Sequence, residues 1–140
     1  LVFSRWSQVM FRFERELYKN PEQDLNKLWW DMVKKYQMID FTRDKPDYAS
    51  KIHFVSSPVY YHNYLLGELL ASQIHDYIVK KILGLKELNN IEYSGKKEIG
   101  NYLKKKIFSV GKKYKWKEMI KKATGKELSS KYFVKEFVKN

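Results

Sequence analysis

A group of side chains able to bind a negative charge lies between residues 51 and 64. Lys51 and His53 stand two residues apart, so in an extended segment both side chains point to the same side. Tyr61 and Tyr64 follow at a spacing that places them on one face of a helix. A cation, an imidazole and two phenols can bind an anionic group and stabilise a developing negative charge. They cannot activate a water molecule on their own.

The element that must position these groups is a predicted long central helix over residues 58–83, entered from a short strand at 51–55. A serine N-cap followed by Pro58 suits its start, and Gly84 suits its end. Its leucines cover more than one side, which predicts a largely buried helix. Polar groups follow one another on a single stripe at steps of three or four: Tyr61, Tyr64, Glu68, Ser72 and His75. This stripe is either a binding edge or the ordinary solvated edge of a core helix.

Five shorter helices complete a prediction of an all-α fold. Their apolar residues recur at helical spacing, and turn residues bound them. The predicted ranges are 1–19, 21–37, 95–110, 116–123 and 129–137. The pattern fails over residues 38–49, which we predict to be a loop with a binding role.

Composition favours one globular domain. The chain has 140 residues, of which 44% are hydrophobic, and the absence of cysteine excludes disulfides and thiol chemistry. An aromatic share of 16% predicts apolar surface that a partner, a further part of the chain or a second copy covers. No apolar run reaches 18 residues, so no membrane span is predicted; a soluble, cytoplasmic location is the starting expectation. The first residues are helix-patterned without an initiator methionine, which suggests a fragment.

The net charge of +12 comes almost entirely from the last part of the chain. Residues 101–140 contain 13 basic and 3 acidic side chains, and every basic one is lysine. Arginine, which reads bases and clamps phosphates, is absent there. We therefore interpret this region as a solvated lysine-rich face, with an acidic partner or nucleic acid as the alternative.

No complete catalytic set is present. The chain lacks an H-E-x-x-H pair, a glycine-rich phosphate loop and a G-x-S-x-G elbow. Its three histidines, His53, His62 and His75, lack the spacing of metal ligands. We therefore expect this chain by itself to bind no zinc.

Several motifs in order resemble a known family. The segments LWWDMVKKYQ, DYASKIH and FVSSPVYYHNYLLGELLASQIHDYI resemble the C-terminal third of the angiotensin-converting-enzyme (peptidyl-dipeptidase A) family, and WKEMIKKATG continues the likeness. The stretch YYHNYLLGELLAS is also similar to thimet oligopeptidase and oligoendopeptidase F. These are all-helical zinc gluzincin peptidases. The resemblance implies that residues 1–140 are the C-terminal part of a larger catalytic domain, with the zinc ligands upstream.

The resemblance also implies a role for each residue of the first group. Lys51 matches the lysine that holds the substrate's C-terminal carboxylate, with Tyr61 as its helper. His53 matches the histidine that hydrogen-bonds the peptide backbone, and Tyr64 matches the donor to the tetrahedral oxyanion. The interval from His53 to Tyr64 is one residue longer than in the converting enzymes, which leaves Tyr60 as a substitute for Tyr61.

Two functions follow as hypotheses. The first is the C-terminal part of a zinc-dependent peptidyl-dipeptidase or oligopeptidase, whose partners are peptide substrates and the remainder of the peptidase domain, and which is inactive alone. The alternative is a non-catalytic helical binding domain that uses its lysine-rich C-terminus on an acidic partner or nucleic acid.

Overall fold

The described part of the chain is helical, as predicted. The computed structural model describes residues 1–88 and 91–138, and no β-strand occurs within these ranges. The α-helices are α1 (Val2–Lys19), α2 (Leu25–Gln37), α3 (His53–Ser56), α4 (His62–Tyr77), α5 (Lys97–Leu103), α6 (Trp116–Thr124) and α7 (Lys131–Phe137). A 3-10 turn spans Asp47–Ser50, and π-helical turns at Ile78–Ile82 and Lys104–Phe108 extend α4 and α5. No helix among the described residues is long and apolar enough to cross a membrane.

The residues group into two compact units, and the boundary falls inside α4. The first unit is Leu1–Leu66 and the second is Gly67–Asn140. In the first, α1 and α2 form an antiparallel pair, since the Gln37 side chain at the end of α2 reaches the Val2 carbonyl at the start of α1. Phe13 and Trp29 meet edge to face at 5.1 Å in its core. Truncating such a buried aromatic side chain to alanine costs about 3–5 kcal/mol.

The predicted start of α2 at Pro21 is wrong. The helix begins at Leu25, and the Asp24 carboxylate caps it by accepting the Lys27 N–H at 2.9 Å. Pro21 lies in a turn, where the Asn20 side chain accepts the Glu22 N–H. A proline fixes the same φ for a turn as for a first helical position, so the sequence pattern fits both.

The predicted strand at 51–55 is also wrong. Residues His53–Ser56 form the single helical turn α3, with the Ser56 N–H and hydroxyl both bonded to the Ile52 carbonyl. A lone extended segment would leave its N–H and C=O groups unpaired, whereas a helical turn pairs them locally. Lys51 and His53 are therefore not presented side by side on a strand.

The central helix starts later than predicted and is less buried. Pro58 lies in a turn with Val59, and α4 begins at His62, four residues beyond the predicted start. Within α4 the buried residues are Ser72, Gln73 and Asp76, while the leucines of its first half remain partly exposed. The predicted all-round burial of this half is therefore not seen. Burial of Ser72 also shows that the polar stripe is not a solvated edge along its whole length.

Helices in the second unit end at two glycines, as the sequence predicts. Gly84 and Gly125 both have positive φ, +69° and +76°, as expected of residues that stop a helix. The helix predicted from residue 95 starts two residues later, because α5 begins at Lys97. The buried Gln73 is fully used: its amide donates to the Thr124 hydroxyl at 2.8 Å, and its oxygen accepts the Ser129 N–H at 3.0 Å. A buried polar group satisfied in this way fixes the packing around it.

Candidate functional site

Most of the predicted site residues form one aromatic cluster in the first unit. The His53 ring lies 4.9 Å from the Tyr61 ring and 6.0 Å from the Tyr64 ring, each edge to face. Tyr64 lies 5.0 Å from Tyr61 and 5.8 Å from Tyr60. The helical turn α3 supplies His53, and the loop before α4 together with its first turn supplies the tyrosines. Four of the five predicted residues thus come together.

The three tyrosines of this cluster differ in exposure. Tyr61 is 7% exposed, whereas Tyr60 and Tyr64 are 49% and 42% exposed. Burial raises the pKa of the Tyr61 phenol, the Trp6 indole beside it opposes part of that rise, and Tyr64 adds to it. Tyr61 therefore serves as a neutral, buried member of the core. Tyr60 and Tyr64 present their phenols at the surface of the unit.

Lys51 packs on two indole rings beside the cluster. Its ammonium is over two indoles, 5.6 Å from the Trp6 ring centre and 5.8 Å from that of Trp29. Such cation–π contacts contribute about 0.5–1 kcal/mol at partly exposed sites. Because Trp6 borders both the Lys51 ammonium and the Tyr61 hydroxyl, it joins the cation to the cluster.

Helix α1 contributes residues that the sequence did not single out. Phe3 packs edge to face on Tyr64 at 6.3 Å, and Trp6 borders Lys51 and Tyr61. Glu14, which is only 4% exposed, accepts the backbone N–H of Val59 at 2.6 Å. The helical pattern of α1 assigns Phe3 and Trp6 to a packed face, but nothing local to the sequence links any of the three to residues 51–64.

The described residues do not form a zinc site by themselves. Within residues 1–88 and 91–138, no three histidine or acidic side chains lie close enough together to hold a metal ion. His53 belongs to the aromatic cluster. His75 bonds the Tyr93 hydroxyl at 2.8 Å and the Leu88 carbonyl at 2.9 Å. The contacts of His53 and His75 are thus to aromatic rings, a hydroxyl group and a backbone carbonyl.

The second unit carries a basic cavity of about 440 Å³. The buried Asp76 carboxylate lies in its wall and pairs with Lys80 and, at 3.5 Å, with Lys135. The neighbouring Lys80 ammonium lowers the pKa of Lys135, as expected for like charges. The lysines that line the cavity are Lys80, Lys81, Lys126, Lys131 and Lys135.

Comparison with known proteins decides the family. The family model described as carboxypeptidase Taq (M32) metallopeptidase matches residues 8–140. The chain belongs to this family. The predicted metallopeptidase class is thus confirmed. The family found is that of carboxypeptidase Taq, rather than the angiotensin-converting-enzyme or thimet oligopeptidase families that the motifs resemble.

Two curated relatives are similar over most of the chain. Thermostable carboxypeptidase 1 of Pyrococcus furiosus is 28% identical over 133 residues, which is 91% of this chain and 26% of that protein. Carboxypeptidase 1 of Bacillus subtilis is 26% identical over 130 residues, which is 90% of this chain and 25% of that protein. The chain thus spans about a quarter of the length of these relatives. No solved structure matches it significantly.

Proposed function

We propose that this chain is the C-terminal part of a zinc-dependent peptidase domain that cleaves peptides near their C-terminus. Its part would be to bind the substrate and to stabilise the oxyanion, while zinc ligands elsewhere in the full-length protein supply the metal. Family membership and the names of the two carboxypeptidase relatives support the reaction class. The observation that carries the site is the ring cluster, which holds a half-exposed phenol against an imidazole.

Tyr64 is the proposed oxyanion donor. Its ring touches four others, those of Phe3, His53, Tyr60 and Tyr61, at centre distances of 5.0–6.3 Å. A phenol held on several sides does not need to reorganise as charge develops on the substrate carbonyl. Preorganised donors of this kind contribute about 3 kcal/mol to lowering the barrier.

His53 and the flanking groups are proposed to hold the substrate. The imidazole contacts both Tyr61 and Tyr64, and its proposed role is to hydrogen-bond the peptide backbone next to the scissile bond. Lys51 is the proposed anchor for the C-terminal carboxylate. Exposure favours Tyr60 over the buried Tyr61 as its helper, because only an accessible hydroxyl can reach a ligand.

The remainder of the peptidase domain is the proposed partner of the exposed apolar surface. Leu65, Leu66, Leu69 and Leu70 are only partly buried in α4, and large apolar side chains such as Val55 and Phe108 are 83% and 69% exposed. The matched relative is about four times as long, which supports the proposal that a further part of the domain covers this surface. On this view both units belong to one catalytic domain, and this chain alone is inactive.

The test uses the full-length protein and matched peptides. A peptide with a free C-terminal carboxylate should be cleaved, and a chelator should abolish the cleavage. The same peptide with an amidated C-terminus should be cleaved much more slowly. Mass spectrometry of the products tells single-residue release from dipeptide release. Equal cleavage of both peptides would contradict carboxylate anchoring, and activity that resists chelation would contradict a metallopeptidase.

The basic cavity favours a second candidate, an anion-binding module. Five lysines and one buried carboxylate line this cavity, so the local charge is positive. Binding of DNA that persists at about 200 mM salt, where purely electrostatic contacts weaken steeply, would favour this candidate. Loss of binding at that salt concentration would leave the lysines as a solvated face.

A further inference from the structure

The loop that leads into the tyrosine cluster contains a strained residue. Val59 has φ of +56°, a region that branched side chains avoid because of steric clashes. Val59 follows Pro58 in a turn, and a turn position of positive φ normally requires glycine or asparagine. Such strain persists only where the surrounding structure enforces it, and it is concentrated at functional sites.

A buried carboxylate of α1 holds this strained residue. Glu14 is 4% exposed, and its Oε1 accepts the Val59 N–H at 2.6 Å, across 45 residues of sequence. The two atoms are close enough for a direct hydrogen bond between the backbone and the carboxylate. Acidic residues are seldom buried without such a partner. The contact therefore ties the turn to the most buried face of α1.

Val59 directly precedes the tyrosines in the chain, so its backbone position affects theirs. Tyr60 and Tyr61 are the next two residues, and their carbonyls accept the N–H groups of Asn63 and Tyr64 at 2.9 and 3.2 Å. The turn is thus continuous with the first turn of α4. A shift of the Val59 backbone would move every phenol of the cluster.

We propose that Glu14 is a positioning residue, which sets the placement of Tyr60 and Tyr64 by binding the Val59 N–H. The part that concerns catalysis rests on the proposed function of the cluster. Glu14 itself need not touch the substrate. Its oxygen, rather than its charge, is the required feature, because a hydrogen-bond acceptor is what the turn uses.

Two readouts in the full-length protein test this role. Glu14→Leu removes the acceptor, and kcat should fall about 10–100-fold, as small misplacements of reacting groups cause. Glu14→Gln keeps an acceptor oxygen and should retain kcat within about threefold. Glu16→Leu is the matched control in the same helix, since its carboxylate pairs with the nearby Arg15 and Lys19 rather than with the Val59 turn. It should leave kcat unchanged.

Hydrogen exchange tests the contact without relying on activity or on a variant. In the wild-type protein the Val59 amide should exchange at least about 100-fold more slowly than in an unstructured peptide, although its side chain is 65% exposed. Exchange at the unstructured rate would overturn the proposal, and so would full kcat in Glu14→Leu. If the wild-type protein cleaves no peptide, the proposed function fails. The exchange rate then still decides whether Glu14 holds the turn.

Discussion

Removal of the Tyr64 hydroxyl should slow catalysis in the full-length enzyme without loosening the fold. Tyr64→Phe deletes one oxygen and leaves the ring packed against Phe3, His53 and the neighbouring tyrosines. Among residues 1–88 and 91–138, no hydrogen bond to this hydroxyl is seen, and the side chain is 42% exposed. The free energy of unfolding should therefore change by less than about 0.5 kcal/mol.

The effect on rate should be much larger, because the phenol is proposed to act on the transition state alone. Losing one preorganised oxyanion donor costs about 2.7–4 kcal/mol, which corresponds to about a 10²–10³-fold fall in kcat. KM should change little, since the neutral carbonyl of the bound substrate makes weak use of the same hydroxyl.

Steady-state kinetics on a free-acid peptide give kcat and KM, and a melting curve gives the change in stability. A zinc determination checks that the variant holds its metal. Tyr18→Phe is the matched control, because Tyr18 is 58% exposed at the end of α1 and lies outside the cluster. Near-normal kcat in a folded, zinc-loaded Tyr64→Phe enzyme would refute the oxyanion role. The cluster would then be part of the packing of the first unit.

Three further outcomes are expected. Lys51→Ala should raise KM for free-acid peptides much more than for amidated ones; an equal rise for both would show that the lysine only packs on its indoles. Val59→Asn should raise the free energy of unfolding by about 0.5–1 kcal/mol in a denaturation curve, because asparagine tolerates positive φ. Val55→Asn, at another exposed valine that lies in the helical turn α3, should show no gain. Burial raises the pKa of Tyr102 to about 12, so the folded state favours the protonated phenol. Its stabilising contribution is therefore complete below the unfolded pKa of about 10 and is lost as pH rises towards 12, and Tyr102→Phe should flatten that part of the stability curve.

Some features could be predicted because they depend on neighbours in sequence. The apolar spacing of α1 predicts its packed face, and Gly84 and Gly125 predict two helix ends from their tolerance of positive φ. Prolines show the limit of such rules. Pro21 and Pro58 fit the first position of a helix and the turn before one equally well, and both occupy turns.

The sequence by itself determined the helical class, the metallopeptidase relationship and the set of residues 51–64 from which a site could be built. Only the tertiary structure decided how these residues are used. It buries Tyr61 and exposes Tyr60, places Lys51 on two indoles, and binds the Val59 N–H to Glu14. Helical periodicity acts over three or four residues. These choices instead depend on contacts across as many as 45 residues, which form only when α1 packs against the loop before α4.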